Sequence, residues 1–109
     1  MIIDFNNIDF LRREKLFGGE GFFDAKIFND GQNKMLFGKL EPGCSIGFHK
    51  HETGSEMLYI ISGKGYADCD EEKDELCPGV CHYCPKGHSH STVNTGNEDL
   101  VFFAVVTNE

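Results

Sequence analysis

The stretch that most limits what this chain can fold into is Gly43–Gly63, GCSIGFHKHETGSEMLYIISG, with histidines at 49 and 51 and a glutamate at 56. In a β-strand, side chains at i and i+2 share a face, so His49 and His51 would stand side by side, about 6.5–7 Å apart along the strand. Two imidazoles so placed can converge on one ion. Glu56, beyond the turn Glu52–Ser55, can bring an oxygen to the same point. Neutral imidazoles with a carboxylate suit transition metals better than calcium or magnesium. A second stretch, Gly79–Asn94 (GVCHYCPKGHSHSTVN), answers the first. After Pro85-Lys86-Gly87 it repeats the i, i+2 pair as His88 and His90. On a strand opposed to the first, either histidine could complete a set of three imidazoles and one carboxylate.

The first stretch resembles the first cupin motif, G-x5-H-x-H-x4-E-x6-G, through Gly43, His49, His51, Glu56 and Gly63. The second resembles the second cupin motif, G-x5-P-x-G-x2-H-x3-N, through Gly79, Pro85, Gly87, His90 and Asn94. Lys64–Pro78 between them is similar to the short spacers of small microbial cupins. The resemblance covers Gly43–Asn94, about half the chain. It implies an all-β fold, a double-stranded β-helix or jelly-roll barrel, with one divalent transition metal (Fe, Mn, Ni, Cu or Zn) held by His49, His51, Glu56 and His90. It does not imply one activity, because cupins include enzymes, sensors and storage proteins.

The length of 109 residues fits one domain, read as an arm over 1–21 and a single barrel over 22–109. The ten phenylalanines, with no tryptophan, are expected to make up the core's aliphatic shortfall. A formal net charge of −8 repels phosphate backbones, which argues against a nucleic-acid partner. No signal peptide and no apolar run of spanning length is found, so a cytoplasmic protein without a membrane partner is expected. Five cysteines, an odd number, then read as reduced thiols.

Within the arm, Ile8–Phe17 could form one short helix capped by Asn7. Phe17–Gly21 reads as a loop, either a connector or a flexible segment over a barrel mouth. Strands are expected at Phe22–Phe28, Lys34–Leu40, Val80–Cys84, His88–Val93 and Leu100–Thr107. Ser45–His51 and Glu56–Ile61 are expected to pair as one hairpin. Gly65–Asp68 and Asp74–Cys77 are expected as another, with the acidic run Asp70–Lys73 as a solvated tip. Open sheet edges need cover, so residues 1–17 are expected to help form a homodimer, as cupins commonly do.

Several residues carry more than one reading. Glu56 is a metal ligand or, left unligated, a proton shuttle. His88 shares parity with His90 and is the second candidate catalytic group, at the rim of the site. The role of His82 is open. Asn94 is expected to fix a turn. Cys77, Cys81 and Cys84 have the spacing of an iron–sulfur cluster loop, but strand alternation sets Cys81 and Cys84 on opposite faces, so they are expected as free thiols. The functional expectation is a metal-dependent enzyme acting on a small polar metabolite (a hydroxy or keto acid, enediol, thiol or sugar acid). The alternative is a non-catalytic small-ligand-binding or sensor module.

Overall fold

Alternation of apolar and polar side chains sets the architecture. The clearest case is Gly54–Ser62, where Glu56, Leu58 and Ile60 are buried and Met57, Tyr59 and Ile61 are exposed. In the computed structural model, which describes residues 1–108, such strands form two antiparallel sheets. In chain order they are β1 (Leu11–Glu14), β2 (Phe22–Asn29), β3 (Asn33–Leu40), β4 (Ser45–Lys50), β5 (Gly54–Ser62), β6 (Gly65–Cys69), β7 (Glu72–Leu76), β8 (Cys81–Cys84), β9 (Ser89–Asn94) and β10 (Leu100–Asn108). The larger sheet runs β1-β2-β3-β10-β5-β8 and the smaller β4-β9-β6-β7. The fold is an all-β barrel of two facing sheets, and the helical segments among the described residues are single 3-10 turns at Phe5–Asn7 and Leu16–Gly18. No helix among the described residues is long and apolar enough to cross a membrane.

The core between the sheets is mainly aliphatic: Leu36, Leu40, Ile46, Leu58, Ile60, Leu76 and Leu100 are buried. Phe23 and Phe102 are the phenylalanines that join them, stacked at 5.8 Å between ring centroids. Phe10, Phe17, Phe22 and Phe48 remain exposed, so phenylalanine supplies less of the core than its abundance suggests.

The expected helix over Ile8–Phe17 is not formed. Residues 11–14 instead extend along β2, from Leu11 opposite Ala25 to Glu14 opposite Phe22. The loose apolar stripe of Ile8, Leu11 and Leu16 is too weak to hold a helix. The strand is tied down by Arg12, whose guanidinium donates to both oxygens of Asp24 at 2.8 and 3.0 Å. The hydrogen bond from Arg12 is the main effect holding the Asp24 carboxyl below its usual pKa. Asp4, not Asn7, caps the first 3-10 turn, accepting from the Asn6 N–H.

The expected hairpin of β4 with β5 is also not formed. β4 pairs with β9 in the smaller sheet, and β5 pairs with β10 and β8 in the larger. Residues 51–53 therefore carry the chain from one sheet to the other. Gly54 makes the landing possible, since a Cβ there would lie 1.5 Å from the Thr107 carbonyl oxygen. The β6–β7 hairpin forms, Gly65 opposite Leu76 to Cys69 opposite Glu72, but with a tighter tip than expected, since Glu72 and Lys73 already belong to β7. Asn94 is buried and fixes the β9–β10 turn: its amide donates to the carbonyls of Leu40 (2.8 Å) and Glu98 (2.9 Å), and its oxygen accepts from the Gly96 N–H.

Candidate metal centre

Three elements bring four donors together. His49 lies on β4 with His51 just past its end, Glu56 lies on β5, and His90 lies on β9 directly opposite His49. The Nε2 atom of His90 is 2.9 Å from that of His51 and 3.0 Å from that of His49. Glu56 Oε1 is 2.8 Å from His90 Nε2 and 3.1 Å from His51 Nε2. The four donor atoms all lie within 4.8 Å of one another. Metal–nitrogen bonds of about 2.1 Å at right angles put neighbouring donors about 3.0 Å apart, so these spacings fit adjacent corners around a single ion. The donor chemistry fits as well: borderline nitrogen donors and one carboxylate suit a divalent transition metal.

The cluster is enclosed. The His90 side chain is 1% exposed, Glu56 9% and His51 14%. Burial is the largest effect on Glu56 and acts to raise its pKa. Where protons rather than an ion bridge these donors, hydrogen bonds from His51 and His90, with their charges, outweigh burial and bring the carboxyl down to about 2. It is thus held as a carboxylate. Burial pushes the pKa of His49 down, favouring the neutral imidazole that a metal requires. His49 Nδ1 lies 2.9 Å from the Gly47 carbonyl, which can only accept. Nδ1 therefore carries the proton, and Nε2 is left with its lone pair facing the cluster.

A cavity of about 300 Å³ opens beside the four donors. Phe23, Leu36, Ile46, Leu58, Phe102 and Val106 give it an apolar wall, and Lys34 and Lys50 bring two positive charges. Leu16, Phe17 and Thr92 complete the lining. The Phe17 ring stacks on His49 with 4.3 Å between centroids and 17° between planes. Lys15 and Phe17 both take left-handed backbone angles (φ 50° and 54°), uncommon for side-chain-bearing residues, and so aim this turn at the mouth. Gly19 and Gly47 let it lie flat on β4, since a Cβ on either would come within 2.1 Å of a backbone oxygen of the other segment. Within Phe17–Gly21, Phe17 lies at the mouth, and Glu20 is tied to Ser45 of β4 by two hydrogen bonds.

His88 is not brought to the cluster. β9 begins at Ser89, after the Gly87 turn at φ 88°, so strand parity does not extend to residue 88. Its backbone instead bonds to His51, and its half-exposed imidazole pairs with the Asp70 carboxylate. Cys77, Cys81 and Cys84 are not gathered either: the first two are exposed and Cys84 is buried, and all are free thiols. His82 is the residue whose part sequence reasoning missed. It is buried on β8, with Nε2 3.0 Å from His90 Nδ1 and Nδ1 2.9 Å from Asp74.

The cupin domain (Cupin_2) matches residues 36–106. An oxalate-binding protein of Thermotoga maritima is 43% identical over 68 residues, 62% of this chain and 56% of that protein. A glucose-6-phosphate isomerase of Thermococcus kodakarensis is 36% identical over 63 residues, 53% of this chain and 33% of that protein. The matched stretches thus span about half or less of these curated relatives. Among solved structures, a Thermotoga maritima protein described as a "predicted oxalate decarboxylase" covers 100% of both chains, at 30% identity and a TM-score of 0.93. The match to the cupin domain runs over more than half of the chain and coincides with the observed barrel: this chain belongs to the cupin family.

Proposed function

We propose that the protein binds one divalent transition metal through His49, His51, Glu56 and His90, and uses it to capture a small carboxylate such as a dicarboxylate, hydroxy acid or keto acid. The observation that carries this reading is the spacing of 2.8–3.1 Å between neighbouring donors of the cluster. Such an ion supplies a Lewis-acidic position for the oxygens of the ligand. Glu56 balances part of the ion's charge. In a chain of net charge −8, Lys34 and Lys50 stand in the lining where an anion needs counter-charge. The cavity volume admits only a small ligand. The oxalate-binding relative supports the same ligand class.

The test is elemental analysis after reconstitution with Fe, Mn, Ni, Cu and Zn in turn, followed by calorimetric titration with oxalate and with small hydroxy and keto acids. One metal per chain and acid binding only to the loaded protein are expected. Absence of bound metal from all five sinks the reading.

Catalysis at the same centre is the second reading, favoured by the cavity opening directly onto the donors. Glu56, left unligated beside the ion, is then the group placed to accept a proton from bound ligand, because His88 does not line the cavity. Mass spectrometry of the acid after incubation with loaded protein, with and without oxygen, decides it. The assembly inferred is a homodimer. Met57, Tyr59, Ile61 and Tyr83 lie exposed on the outer face of the larger sheet, and Phe5 of the arm packs beside them on Phe103 at 5.4 Å. A monomer by light scattering at high micromolar concentration contradicts it.

A further inference from the structure

Behind the cluster, on the side away from the cavity, a second row of polar side chains runs to the surface. His82 is 2% exposed and sits between His90 and Asp74. The Asp74 side chain is 47% exposed. The row crosses from β8 at the edge of the larger sheet to β9 and the edge strand β7 of the smaller. The His82 and His90 rings are nearly parallel, 15° apart with centroids at 5.2 Å.

Hydrogen-bond chemistry gives this row a direction. The Asp74 carboxylate only accepts, so His82 donates from Nδ1. Neutral His82 then has a lone pair on Nε2, and His90 donates to it from Nδ1. His90 is left with its Nε2 lone pair facing His49, His51 and Glu56. Without His82, the bond from His90 Nε2–H to Glu56 would favour the opposite tautomer, which cannot ligate through Nε2.

We infer that Asp74 and His82 are positioning residues: they fix His90 in its ligating tautomer and orientation through a carboxylate–imidazole–imidazole row. This rests on the metal reading above. It assigns a role to two residues that never touch the ion. Partners of this kind orient metal-bound histidines and raise their basicity, and their loss costs about 10–100-fold in metal affinity.

The experiment is Zn(II) affinity by chelator competition, on wild type, His82→Phe, His82→Gln and Asp74→Ala, with circular dichroism and thermal unfolding on each. Phe keeps the ring packing but cannot accept, and is expected to weaken Zn(II) binding by about 10–100-fold. Gln accepts from His90 and donates to Asp74, and is expected to restore most of the loss. Asp74→Ala, at an exposed position, is expected to fold and to weaken binding less than His82→Phe. In Zn-loaded wild type, 15N NMR is expected to find the His82 and His90 protons on Nδ1. Wild-type affinity in both His82→Phe and Asp74→Ala overturns the inference. So does a His82 proton on Nε2, or a loss that Gln fails to rescue. If wild type binds no Zn(II) or any other of the five metals, the metal reading itself falls and takes this inference with it; the variant series is then not the cause.

Discussion

His90 is the most enclosed of the four donors, and it touches every other part of the centre: two imidazoles and a carboxylate in front, His82 behind. Its replacement by Ala, or that of His51, is expected to cost more than the roughly 10–100-fold typical of an outer partner. Circular dichroism should remain that of the barrel. His88→Ala should keep full metal, since its imidazole is spent on Asp70. Elemental analysis checks all three, and full occupancy in the His51 and His90 variants refutes the ligand set. Thiols offer a second expectation. Burial, with the neighbouring Cys69, pushes Cys84 up to about 12, whereas Cys77 and Cys81 are exposed. Alkylation of native protein should label Cys77 and Cys81 and spare Cys84 until unfolding, as read by mass spectrometry. The cluster residues were legible because motif spacing encodes them locally. His82 was not, because its partners come from β7 and β9, and only the packing of two sheet edges reveals them. A local signal existed: alternation in Cys-His-Tyr-Cys puts His82 on the same buried face as Cys84.

At the scale of elements, period-two alternation located most strands to within a residue or two, because one face of each is buried. It could not say which strand pairs with which. β4 and β5 follow one another in sequence and look like a hairpin, yet they lie in different sheets. The arm misled for a different reason: a salt bridge from Arg12 to Asp24, 12 residues away, overrode a weak helical pattern. The Leu16–Gly18 turn shows how closely elements can meet. Gly19→Ala would place a methyl 2.1 Å from the Ser45 carbonyl oxygen and lift the turn off β4. A loss of about 1–3 kcal/mol is expected by denaturant unfolding. Zn(II) binding should persist, because the donors stand on β4, β5 and β9. Unchanged stability would mean that the turn is not held by this contact.

For the whole molecule, the strand order has a kinetic consequence. β3 must find β10, and β4 must find β9, before either sheet is complete, so both sheets are closed by pairings distant in sequence. Such pairings form slowly, because loop closure precedes the contacts that reward it. His49 and His51 meet His90 only when β9 has docked on β4. A metal centre built on these residues is therefore expected to assemble late in folding. A chain emerging from synthesis would carry its histidines dispersed, and the finished barrel, rather than the nascent chain, would select the metal. Stopped-flow measurements should find the refolding rate unchanged by Zn(II) and the unfolding rate slowed by it, the partition expected for an interaction absent from the transition state. Faster refolding with Zn(II) would mean that the imidazoles gather early and that the ion guides the chain into its barrel.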